Sequence, residues 1–114
     1  MDVEVYSKLT HCWIILKDLL ADTGADVSIL PRHLGVVLVK DIQKGRRAPI
    51  RGVVPGAEVS VFFHRIRFRL AGKESLLLVA IANSDDVPPI LGRVQGLDRL
   101  VATFRKGKQL ELYF

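Results

Sequence analysis

Hydrophobic positions along the chain fall into short runs separated by polar or turn-forming residues, and most of those runs have the period of a strand. Val3-Glu4-Val5-Tyr6 alternates apolar with polar, as a half-buried strand does. Ser7-Lys8 predicts a turn, and Leu9 to Leu16 reads as a second strand rich in β-formers. Lys17-Asp18 marks a tight turn or bulge before Leu19-Leu20-Ala21. Val27-Ser28-Ile29-Leu30 is a short strand that Pro31 ends, because proline cannot donate to a ladder. Arg32 to Gly35 has room for one helical turn. Val36-Val37-Leu38-Val39 has the length and composition of another strand, and Gln43 to Pro49 is a basic connection with turn formers.

In the second half, Val59, Val61 and Phe63 alternate in one phase and Ile66, Phe68 and Leu70 in the other. Such a switch predicts a bulge or bend near His64-Arg65. It also turns Arg65, Arg67 and Arg69 to solvent together. Ala71 to Glu74 forms a turn, and Ser75 to Ala82 reads as a strand buried on both faces. Asn83 to Asp86 is polar and exposed. Gly92 to Leu100 is the one stretch with helical spacing, through Val94, Leu97 and Leu100. Val101–Arg105 and Gln109–Tyr113 predict a closing hairpin. One helix against about eight strands makes this an all-β chain, and its 114 residues fit a single domain spanning 1–114.

Composition narrows the class. At 49% hydrophobic the chain is too apolar for disorder, yet no run reaches the roughly 18 apolar residues of a membrane span. Trp13 to Leu16 is cut by Lys17 and Asp18, and no basic-then-apolar leader precedes it. Its single cysteine, Cys12, excludes an internal disulfide and fits a reducing compartment. Beside Trp13 it reads as a buried core thiol. These features predict a protein of the cytoplasm or another intracellular space, with no membrane partner. The net charge of +5 comes mainly from Lys44–Arg51, Arg65–Arg69 and Arg105–Lys108, which read as solvated surface. A basic β domain that binds nucleic acid would need aromatics among those charges, with Phe62, Phe63 and Phe68 the nearest, and nucleic acid is not the expected partner. His11, His33 and His64 are far apart and lack metal-ligand spacing, so no metal and no cofactor is expected.

The costliest feature of the sequence is Asp22. An apolar run, Leu19-Leu20-Ala21, leads straight into Asp22-Thr23-Gly24-Ala25-Asp26 and back into Val27 to Leu30. A carboxylate at the end of a hydrophobic strand is expensive unless something pairs with it or uses it. Asp22-Thr23-Gly24-Ala25, with these apolar flanks, resembles the active-site loop of the retropepsins, the retroviral-type aspartic proteases. Pro88-Pro89-Ile90-Leu91-Gly92-Arg93 is similar to that family's second signature. Order, separation and context agree over roughly residues 10 to 113.

The resemblance implies a small closed, β-barrel-like acid-protease lobe with a flap hairpin and one short C-terminal helix. It also implies an aspartic endopeptidase that needs no cofactor. A carboxylate and a carboxylic acid that share a proton can activate water and protonate the leaving amine. One chain supplies one such loop, so the second carboxyl comes from a partner across a twofold axis. In the family's terms Asp22 is the catalytic carboxylate. Thr23 bonds across the twofold, and Gly24 lets the substrate backbone approach. Asp26 binds substrate backbone and pairs with Arg93, while Ile90 lines a pocket and Gly92 packs beneath the catalytic loop. The flap corresponds to Ile50 to Val59, which places Gly52, Val53 and Val54 over an extended peptide or protein substrate. Pro55 departs from the family's glycine-rich tips, and Val94 stands where the family commonly has aspartate. Ala25 lacks a hydroxyl to donate to the carboxylate, which implies an activity optimum less acidic than in relatives that have one. A catalytically weak module for dimerisation or peptide binding is the alternative reading.

Overall fold

The computed structural model describes residues 2–22, 24–51, 56–93, 96 and 98. Among these, eight strands form one sheet: β1 (Val3–Ser7), β2 (Cys12–Leu16), β3 (Leu20–Ala21), β4 (Ser28–Leu30), β5 (Arg46–Arg51), β6 (Glu58–Leu70), β7 (Lys73–Ala82) and β8 (Ile90–Leu91). The order across the sheet is β2-β1-β6-β7-β4-β8-β3, with β5 on the first half of β6. The sheet curls into half a barrel, and the chain is all-β. Among the described residues no helix is long and apolar enough to cross a membrane.

Two hairpins show why the apolar pattern reads as it does. β1 and β2 pair antiparallel from Val3↔Leu16 to Ser7↔Cys12. Val3, Val5 and Ser7 point inward, while Glu4 and Tyr6 are partly exposed on the other face. The expected second strand begins later than its composition suggests. Leu9 to His11 belongs to the turn, with His11 at φ 58° and Leu9 exposed. Cys12 is exposed too, which corrects the expectation of a core thiol. It lies opposite Ser7 at the start of β2, which is an edge strand among the described residues.

The long hairpin of β6 and β7 resolves the phase switch without a bulge. Pairing runs unbroken from Val61↔Ala82 to Leu70↔Lys73. The strand changes its buried face instead of its register. Near its start Val59 and Val61 pack with Ile29, Ala80, Ala82 and Val87. Further along, Ile66 and Phe68 on the opposite face join Val3, Val5, Leu77, Val79 and Leu91 in the main core. β7 serves both clusters, so its last four residues, Val79 to Ala82, are all buried. The periodicity records a strand passing between two packing layers.

The stretch Arg32–Leu38 is a helix, α1, and the strand expected at Val36 to Val39 is absent. Gly35, Leu38 and Val39 are buried, whereas Val36 and Val37 lie outside. That is the spacing of one helical face, and four consecutive apolar residues concealed it. A β-carbon at Gly35 would run into the side chain of Ile81, so the missing side chain lets α1 lie against β7. Ser7 fastens the helix from the other side, since its buried hydroxyl donates to the Val37 carbonyl at 2.5 Å. The helix expected over 92–100, apart from residues 92, 93, 96 and 98, and the hairpin expected over 101–114 lie outside the described residues.

β6 and β7 are joined by two residues, Ala71 and Gly72, at φ 49° and 80°. Both central positions of a tight I′ turn need positive φ, which suits glycine and asparagine and strains alanine. Ala71→Asn is therefore expected to stabilise the fold by about 0.5–1 kcal/mol. A thermal melt that shows no gain, or a loss, contradicts this account of the turn.

Candidate active site

Asp22 stands at the end of β3, and two short pieces of chain fix where it points. β3 runs parallel to β8, with Leu20 opposite Ile90 and Ala21 opposite Leu91. On its other side β8 meets β4 antiparallel, Ile29 opposite Ile90. The second signature is thereby wedged between the strands that enter and leave the Asp22 loop. Main-chain bonds continue the contact past the strands. The Asp22 amide donates to the Leu91 carbonyl at 3.0 Å, and the Arg93 amide donates to the Ala25 carbonyl at 2.9 Å. The loop is thus stitched to residues 91–93 at both of its ends.

Inside the loop the Gly24 amide donates to Asp22 Oδ1 at 2.9 Å, and the Ala25 amide donates to the Asp22 carbonyl at 3.2 Å. The first bond leaves Oδ2 without a described partner and orients the carboxyl plane. Asp22 is itself only partly exposed, and its neighbour Leu19 is fully buried. Gly24 lies open to solvent, and a β-carbon there would come within 3.2 Å of Asp22 Oδ1. A half-buried carboxylate is thus reachable past a residue without a side chain.

Ser28 and Gly92 bind the loop to the structure beneath it. The Ser28 side chain is buried, and its Oγ accepts the Gly92 amide at 2.9 Å. A β-carbon at Gly92 would lie 2.5 Å from the carbonyl carbon and oxygen of Val27. Those are backbone atoms, so the strain could not be relieved by a rotamer. Gly96 is just as close, its missing β-carbon falling 2.6 Å from Ser28 Oγ. The sequence places Ser28 in a strand and assigns it no part in the site. The signal for its actual role is a lone small polar residue inside an apolar strand, where a buried hydroxyl needs a partner.

Asp22, Gly24, Ala25, Asp26, Ile90, Gly92 and Arg93 are therefore gathered in one place, although nearly seventy positions separate the two groups. Arg93 Nη2 is 3.6 Å from Asp26 Oδ1, with both side chains more than half exposed. Ile90 is partly exposed in β8. Thr23, Gly52, Val53 and Val54 lie outside the described residues. The strands that flank those last three are present, since β5 and β6 pair from Arg46↔Phe63 to Arg51↔Glu58. The histidines stay apart: His11 lies beside Tyr6, His33 beside Asp85, and His64 Nε2 is 2.7 Å from the Ile42 carbonyl.

No protein-family model matches the chain, and no curated protein matches it. Among solved structures, it is similar to the EIAV protease in complex with the inhibitor HBY-793. The two are 19% identical, the match covers 100% of this chain and 90% of that one, and the TM-score is 0.48. At that distance the roles of individual residues rest on their own geometry and chemistry.

Two substitutions separate structural from peripheral residues here. Ser28→Ala strands the buried Gly92 amide and is expected to cost about 1–3 kcal/mol. Asp26→Asn removes an exposed ion pair and should cost under about 1 kcal/mol. Urea denaturation of the two variants checks this, and equal losses would overturn the distinction.

Proposed function

We propose that the chain is one half of a homodimeric aspartic endopeptidase. The observation that carries this reading is the setting of Asp22. It is a half-buried carboxylate at a strand end, held by an amide on one oxygen and backed by glycine, on a loop bonded to the core through Leu91 and Arg93. Few structural roles need a carboxylate in such a place, because part of its solvation is lost and no cation among the described residues pairs with it. Asp26 and Arg93 pair only with each other among the described residues, which leaves Asp22 available for chemistry.

Hydrolysis of an amide requires activation of the water and protonation of the departing nitrogen. Two carboxyls brought together across a twofold axis cannot both carry charge cheaply, so they share one proton. The ionised member removes a proton from water as it attacks the carbonyl carbon. The protonated member donates first to the carbonyl oxygen, and the proton gained from water later passes to the amine. In the dimer Thr23 is assigned the bond across the axis, and Gly24 the clearance for substrate. Gly52, Val53 and Val54 at the tip between β5 and β6 are assigned the cover over an extended peptide. Ala25, Asp26 and Ile90 contribute to substrate binding, and Gly92 and Arg93 support the loop. An exposed Leu20 beside Asp22, with Ile90 across from it, favours substrates with apolar side chains near the cleaved bond.

Two measurements test the proposal. Asp22→Asn should lower cleavage of an unstructured polypeptide by roughly 10³-fold or more while the thermal melt stays that of wild type. Retained cleavage eliminates Asp22 as the catalytic group. Specific activity should also rise with chain concentration, and excess Asp22→Asn chain mixed into wild type should depress activity beyond simple dilution. Activity independent of both would mean that each chain works alone.

A further inference from the structure

The arginines Arg65, Arg67 and Arg69 have no part in the proposed chemistry, and the topology gives them unexpected neighbours. β6 lies beside β1, with Glu4 opposite Arg69 and Val5 opposite Phe68. Continuing that register sets Tyr6 opposite Arg67, and β2 adds Trp13 opposite Tyr6. The face bearing these side chains is the one turned away from the main core. Arg65 and Arg67 are exposed on it, and Tyr6, Trp13 and Arg69 are partly exposed.

The aromatic and cationic groups interleave. The Arg67 guanidinium lies 4.2 Å from the centre of the Tyr6 ring and 5.9 Å from that of Trp13, and the Arg69 guanidinium lies 4.1 Å from Trp13. The two rings meet edge to face at 5.4 Å. Further back along the same side of β6, Arg46 of β5 lies over Phe63 at 5.6 Å. From Phe63 to Arg69 this line of groups runs about 20 Å along one strand.

Charge compensation on the line is uneven. Arg69 is paired with Glu4, which fixes it as the support for Trp13. Arg65, Arg67 and Arg46 have no carboxylate partner among the described residues. An unpaired guanidinium spread over a ring offers charge to a phosphate and a flat surface to a base at once.

We infer that this face, carried by β2, β1, β6 and the start of β5, binds single-stranded nucleic acid. Arg46, Arg65 and Arg67 take the phosphates, and Trp13 and Tyr6 stack on the bases. Single strands fit better than a duplex, whose bases are already stacked on one another and cannot reach Trp13. An acidic polypeptide would satisfy the charges and leave the rings unused. The residues of this face are distinct from Asp22 and the loop that carries it, which follow β3 at the other end of the strand order. Phe62, Phe63 and Phe68 had been the nearest aromatics in sequence. Phe62 and Phe68 are buried, and the pairing of β1 with β6 brings Tyr6 and Trp13 in their place.

Trp13 is the only tryptophan, so intrinsic fluorescence reports the stacking directly. Titration with oligo(dT) and oligo(U) should quench it saturably, with affinity falling log-linearly between about 50 mM and about 200 mM salt. Arg65→Ala with Arg67→Ala should weaken binding about tenfold or more and flatten the salt slope by about 1.4, the share of two phosphates. Trp13→Ala, followed by anisotropy of a labelled oligonucleotide, should lose about tenfold, while Trp13→Phe retains most of the affinity. Arg67→Lys, which keeps the charge and removes the planar stack, serves as the second variant should the alanine pair melt early. The inference is overturned if the oligonucleotides fail to quench at the lower salt or if the arginine variants bind like wild type. Equally tight binding of polyglutamate, or of duplex DNA, would also overturn it.

Discussion

The seating of β8 between β3 and β4 is the constraint on which the rest depends. β3 and β8 are two residues long and β4 is three, and strands that short have no stability of their own. They hold because the residues around them, Leu19, Leu30 and Leu91, are buried in the main core with Leu77, Val79 and Ile81. The ladder then transmits that burial to Asp22 through the bond from its amide to Leu91. Placement of the carboxylate is therefore a property of the core, and damage to the core should be felt at the loop before the loop itself is altered. The bond from Gly92 to Ser28 works in the same direction, from beneath.

The second organising feature is the hairpin of β6 and β7. By burying opposite faces at its two ends, it joins a small cluster under β5 to the main core under β1 and β4. One element thus reaches from the hairpin proposed to cover substrate to the strands that flank the Asp22 loop, since β7 also pairs parallel with β4 from Ser28↔Val79 to Leu30↔Ile81. The same exchange of faces leaves the outer side of the second half of β6 to arginines.

Much of this was legible in the residues, and the gaps have physical causes. Alternation disclosed β1 and both halves of β6, while the burial on both faces expected of Ser75 to Ala82 holds only for Val79 to Ala82, Leu76 being exposed. Pro31 marked the end of β4. The grouping of Asp22 with Gly92 and Arg93 could be expected from the resemblance of two short motifs, although neither motif says how they meet. Of helix α1 only the first turn, Arg32 to Gly35, was legible, because Val36 and Val37 are apolar but exposed and made its second half imitate a strand. The bulge near His64 was inferred from a change of phase that a second packing layer explains equally well. The expectation for Cys12 fails because whether a small side chain is buried depends on what lies above the strand, and local pattern holds no record of that.

β2 has one further consequence. Among the described residues it is the outermost strand on its side of the sheet, with Cys12, Trp13, Ile14, Ile15 and Leu16 in sequence and Ile15 61% exposed. Its outer amides and carbonyls form a row that can template another chain, and β-branched residues favour such growth. Lys17 and Asp18, the latter at φ 58°, close the row with charge and a kinked backbone. That places the colloidal behaviour of concentrated solutions under the control of two residues at the margin of the sheet.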